Sequence, residues 1–184
     1  RRQRQMCIRD RIRAEKKDAL QKLFIKNFKT GEEEELKITN EAVISPSMSL
    51  MQKDRNTNKL RIGFDSPKTP ARAYEYDLIT KEKKLVKELK IPSGHNRENY
   101  IVERFNCISD DKREIPITVI RHKKTKIDGS AKLLLYGYSS YGSSVSPGFS
   151  SSRLSLIDRD IIWATAHCRG STDTVSYTHL TLPT

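Results

Sequence analysis

The chain has 184 residues, enough for one domain or parts of two. Hydrophobic residues make up 35% and charged residues 32%, too apolar for a disordered chain yet polar for a closed globule, so packed and surface segments must alternate. The net charge of +12 raises nucleic acid as a partner, whereas no stretch approaches the roughly 18 consecutive apolar residues of a membrane span, so no membrane partner is expected.

The first residues stand apart. Residues 1–13 hold six Arg, one Asp and no Lys, which is +5 of the total of +12. RRQRQMCIRDR at one end and VSYTHLTLPT at the other resemble translated sequencing-adapter read-through. Residues 1–11 and 172–184 are therefore expected to be foreign to the fold. Next, ALQKLFIKNFKTGEEEELKI (19–38) fits either a helical face or two strands around Lys29-Thr30-Gly31-Glu32; the hairpin is preferred because similar units follow. Lys59–Asp65 and Ala73–Ile79 alternate apolar and polar residues, separated by Asp65-Ser66-Pro67 and Thr69-Pro70. A Thr80-Lys81-Glu82 turn then leads to a strand at Leu85–Leu89. Short strands at this spacing read as one blade of a β-propeller.

The character changes near Ile91-Pro92-Ser93-Gly94. A hairpin is expected at Tyr100–Ile108 and Arg113–Arg121, with Pro116, which lacks a donor, at an edge or a bulge. Lys132–Tyr136 (KLLLY) has the continuous apolar character of a strand buried on both faces. A Gly/Ser/Tyr loop follows, then a helix at Ser152–Arg159 capped by Ser150 or Ser151, then a second buried strand at Ile161–Ala166. Strand, loop, helix and strand in that order make a parallel crossover unit. Two hairpin strands feeding it describe the opening of an α/β-hydrolase sheet.

Several motifs in this half belong together. Leu133-Leu134-Leu135-Tyr136-Gly137-Tyr138-Ser139-Ser140-Tyr141-Gly142, Phe149–Leu156, Asp158-Arg159 and Ala166-His167-Cys168-Arg169-Gly170 occur in sequence; upstream stand Lys59–Phe64 and Tyr74–Asp77. In kind, order and spacing they resemble the serine peptidases of the prolyl oligopeptidase family, in its oligopeptidase B branch. The resemblance covers residues 59–170, is weaker over 14–58, and departs at Ser139 and Ser171, where the family has Gly. It implies a mixed fold, with the end of a β-propeller at 12–91 and the N-terminal part of an α/β-hydrolase domain at 92–171. The activity implied is hydrolysis of oligopeptides after Arg or Lys. Cleavage after Pro is the alternative within the family, and YGYSSYG favours the former. A non-catalytic propeller or hydrolase-like binding module is the alternative outside it.

Serine hydrolysis needs a nucleophile activated by His, an Asp orienting that His, and donors for the oxyanion. No G-x-S-x-G elbow occurs in the sequence, so the triad is expected outside it and the chain alone inactive. The resemblance carries one role onto a residue present: Tyr138, the second Tyr of Y-G-Y, would donate to the oxyanion, while Tyr136 and Tyr141 pack the loop. His167 reads as a strand-end residue rather than the catalytic base. His95, His122 and His179 read as exposed. Cys7, Cys107 and Cys168 are odd in number and lack C-x-x-C spacing, which points to a reduced, cytoplasmic setting; no metal site and no cofactor are expected. Lys81, Lys83, Lys84, Lys87, Lys90, Lys123, Lys124 and Lys126 have no recognition helix or stacking platform beside them, so they read as solvated surface and nucleic acid is not expected.

Overall fold

The computed structural model describes residues 4–6, 10–50, 57–141 and 143–169. Cys7, Gly142, Gly170, Ser171, His179 and the segment 172–184 lie outside the described residues.

Three four-stranded sheets carry the chain. Sheet I is the antiparallel meander β1 (Arg4–Met6), β2 (Asp10–Lys17), β3 (Leu20–Asn27) and β4 (Glu33–Glu35). Sheet II repeats that order with β5 (Ser45–Leu50), β6 (Lys59–Asp65), β7 (Arg72–Asp77) and β8 (Lys83–Glu88). The single blade expected from the sequence is thus two such sheets. β2 begins at Asp10, inside the segment set aside as foreign, and Arg11 pairs with Lys26.

The two meanders share one turn. In sheet I the Asn27 carboxamide oxygen accepts from the amides of Lys29 (2.8 Å) and Thr30 (3.2 Å), and Gly31 (φ 77°) donates back to the Asn27 carbonyl. In sheet II the Asp77 carboxylate accepts from Ile79 (2.8 Å) and Thr80 (3.0 Å), and Lys81 (φ 60°) donates back to the Asp77 carbonyl. A short oxygen-bearing side chain opens the turn and a left-handed residue closes it. The expected hairpin at 19–38 is therefore present, and the same chemistry recurs 50 positions on.

Alternation directs the packing. Ile12, Leu23 and Ile25 of sheet I meet Leu60, Ile62, Phe64 and Tyr76 of sheet II, with Leu36 and Ile38 between them. Each fully buried aliphatic contributes about 1.5–3 kcal/mol. β8, by contrast, is exposed at every position, an edge strand whose Lys83, Lys84, Lys87 and Glu88 flank the exposed Leu85 and Val86; edge charges of this kind oppose pairing with other chains.

Sheet III runs β11 (Lys132–Gly137), β12 (Ile161–Ala166), β10 (Glu114–His122), β9 (Tyr100–Ile108). β9 and β10 are antiparallel, and β11 and β12 are parallel, joined through α1 (Ser151–Ile157). Ser150 caps α1 by accepting from the Arg153 amide at 3.3 Å. Leu154 and Ile157 turn inward onto Tyr100 and Ile120.

Two expectations need correction here. β11 is not buried on both faces: Leu133 and Leu135 are each 61% exposed. The strand sits at the rim of sheet III, where the apolar sequence is present without a neighbour among the described residues to cover it. Pro116 lies on the interior strand β10, at neither an edge nor a bulge. It is tolerated because the ladder to β12 ends at Ile117–Ala166, and beyond it Pro116 only needs to accept, from the His167 amide at 2.9 Å.

Candidate functional site

The parallel register pairs Gly137 with Ala166, so the segments after β11 and β12 leave the sheet at the same end. The carboxyl ends of parallel strands are where open α/β sheets bind ligands. Tyr138 is the first residue beyond β11 there, with its side chain 45% exposed. The next residue, Ser139, donates from its hydroxyl to the Arg169 carbonyl at 2.7 Å, tying the two segments together. Arg169 in turn grips Asp111, in the β9–β10 turn, through both guanidinium nitrogens, one of them at 3.1 Å. The Ser109 hydroxyl and then Arg169 hold the Asp111 carboxyl down to about 2. Among the loop's described residues the left-handed one is Tyr141 (φ 55°) rather than Ser139, so serine fits where the resembled family has glycine.

The loop from Tyr138 to Gly148 then runs back against sheets I and II. Lys16 of β2 donates to the Ser144 hydroxyl at 2.7 Å, and the Ser146 hydroxyl donates to that of Ser45 on β5 at 2.8 Å. Asp65, the last residue of β6, accepts from the Phe149 amide at 2.7 Å. Burial pushes the Asp65 carboxyl above its usual range, against the pull of that amide and of Arg153.

The other residues singled out in the sequence fall elsewhere. Tyr136 lies within β11, 43% exposed, with its ring centre 5.9 Å from that of Trp163 on the neighbouring strand rather than in the loop. Tyr141 does not pack: it is 90% exposed. His167 is buried with Nε2 2.9 Å from the Thr118 hydroxyl, a strand-end residue within the sheet. His95 and His122 differ from the exposed positions the sequence suggests: both are half-buried. His95 stacks on Tyr100 at 5.4 Å, meets the Phe149 edge at 5.3 Å, and places Nε2 2.7 Å from the Lys68 carbonyl. His122 meets Tyr100 edge-on at 5.6 Å. Tyr100 itself donates to Asp158 at 2.8 Å; burial and that bond push its hydroxyl up to about 12. Cys107 and Cys168 are free thiols.

Sequence reasoning missed the carboxylates that bind the loops together. Glu41 accepts from the buried hydroxyls of Ser66 (2.5 Å) and Thr69 (2.6 Å). Asp65 closes a strand in a manner that reads as turn punctuation, and its partner lies 84 positions away. No local pattern announces such a contact. Among the described residues no helix is long and apolar enough to cross a membrane.

No family model matches the chain. Over 118 residues it is 38% identical to a dipeptidyl aminopeptidase BI of Pseudoxanthomonas mexicana, covering 64% of this chain and 16% of that relative. Over 124 residues it is 29% identical to a protease 2 of Moraxella lacunata, covering 67% and 18%. Among solved structures, oligopeptidase B from Trypanosoma brucei with covalently bound antipain superposes with a TM-score of 0.83 at 26% identity, over 93% of this chain and 25% of that one. The chain thus spans under a fifth of the length of these curated relatives.

Proposed function

We propose that this chain, whose relatives and structural neighbours are members of the prolyl oligopeptidase family, forms part of a serine peptidase acting on short peptides. On this reading residues 12–91 are the end of a β-propeller and 92–171 the start of an α/β-hydrolase sheet. The observation that carries the proposal is the junction itself. Two equivalent antiparallel meanders lead directly into a hairpin, a parallel crossover and a tyrosine-bearing loop at the carboxyl end of β11. The α/β-hydrolase scheme draws an oxyanion donor from such a loop, and the triad from other segments. Tyr138 is the donor in this proposal. A phenol O–H preorganised toward the developing oxyanion accelerates acyl transfer because it needs no reorganisation when the charge appears.

The substrate preference assigned is Arg or Lys before the scissile bond, supported by the YGYSSYG loop and the likeness to oligopeptidase B. A second reading, removal of dipeptides, is favoured by the 38% identity to a protein named dipeptidyl aminopeptidase. The test is made on the full protein that carries this segment. It should be labelled by a fluorophosphonate and should release fluorophore fastest from blocked peptides ending in Arg or Lys. Faster release from free-amino dipeptides would select the second reading, and faster release after Pro the alternative within the family. No labelling and no hydrolysis would overturn the peptidase assignment.

A further inference from the structure

The loop that carries Tyr138 is held at its two ends by different parts of the molecule. Its start is held within sheet III, by the β11–β12 pairing and by Ser139 on the Arg169 carbonyl. Its end runs into α1 and is held from outside as well. The Asp65 carboxylate reaches from the end of β6 to the Phe149 amide at 2.7 Å. Gly148 gives it room: a Cβ there would stand 2.6 Å from Asp65 Oδ2. Arg153 of α1 faces the same carboxylate, donates to the Gly148 carbonyl at 3.1 Å, and lies 5.1 Å from the Trp163 ring on β12. Lys16–Ser144 and Ser45–Ser146 add two neutral or singly charged contacts along the way. Of the three anchors from sheets I and II only Asp65 engages backbone, so it bears on the path of the chain where the two hydroxyl contacts bear on side chains.

We propose that Asp65 is a positioning residue for the Tyr138 loop, acting from sheet II to fix the far end of the loop and hence the aim of the phenol. The inference rests on the reading of Tyr138 as an oxyanion donor. It gives the meander a part in the chemistry: the Asp65–Phe149 bond ties the backbone at the far end of the loop to sheet II, and when it opens that end is left to α1 and to the side-chain contacts of Ser144 and Ser146. Misplacement of a catalytic group by about 1 Å costs on the order of 100-fold in rate, so partial loosening costs less.

The test is a double-mutant cycle in the full protein, read on a fluorogenic peptide with Arg before the scissile bond or on the peptide it cleaves best. Asp65→Ala should lower kcat on the order of 10-fold with KM little changed. Asp65→Asn, which keeps an oxygen for the Phe149 amide, should retain most of the turnover. In a Tyr138→Phe background Asp65→Ala should cause no further loss, because the group it aims is gone. Gly148→Ala, which displaces the carboxylate, should reproduce Asp65→Ala and serves in its place if that variant does not fold, as judged by its melting curve. An equal loss from Asp65→Ala in both backgrounds would mean a general structural role and overturn the inference while leaving Tyr138 as the donor. Undiminished turnover in Asp65→Ala would overturn it as well. Full turnover in Tyr138→Phe alone would remove the donor and the positioning residue together.

Discussion

Tyr100 shows how a single side chain in this molecule is set by what surrounds it. It lies between His95 and His122, packs on α1 and donates to Asp158. Burial opposes the phenolate, and the neighbouring carboxylate opposes it further, so the hydroxyl rises from its ordinary 10 to about 12. A raised value in the folded state means the neutral form is preferred there. The associated stabilisation is complete below pH 10 and is lost as pH rises through about 12. Difference titration of phenolate absorbance, the full protein against its Tyr100→Phe variant, should show Tyr100 ionising only near that upper value. Ionisation near 10 would contradict the described environment. Such roles were only half legible in the sequence. His167 reads correctly as a strand-end residue because it directly follows the β-branched, apolar run of β12. His95 reads as loop surface because the rings that enclose it come from positions 100 and 149.

At the scale of elements, alternation and turn residues carried most of the information. β6, β9 and β12 fall where their patterns place them, because each has one face against a core or a partner strand. β11 has the pattern of a buried strand and an exposed position, since hydropathy marks a segment as fit for burial without saying whether anything covers it. Pro116 shows the converse: a local rule against interior proline gives way where one ladder ends. The β3–β4 turn permits a clean test. Gly31 has φ 77° and open space around a would-be Cβ, so the cost of a side chain there is purely conformational. Gly31→Ala should destabilise that turn by about 1 kcal/mol. Hydrogen exchange at residue 31, whose amide donates to the Asn27 carbonyl, should quicken several-fold while sheet III is unaffected. Unaltered protection would show that the left-handed conformation is not maintained.

The whole molecule is two matched meanders sharing one core, joined to a mixed sheet that has a second. In sheet III, Phe105, Ile108, Leu133 and Leu135 lie outside both cores, each more than half exposed. Apolar surface at a sheet rim is a pairing and packing surface. The tyrosine loop crosses from this sheet to the meanders and back, in contact with β2, β5 and β6 on the way. Its proposed purpose is to present one hydroxyl to negative charge. A peptide aldehyde, which on addition of a serine hydroxyl places an oxyanion in that position, reports on this purpose directly. Inhibition of the full protein by such an aldehyde should weaken ~100-fold in Tyr138→Phe, the scale of one lost oxyanion donor, while a cleaved peptide product binds as before. Equal inhibition of both proteins would contradict the account.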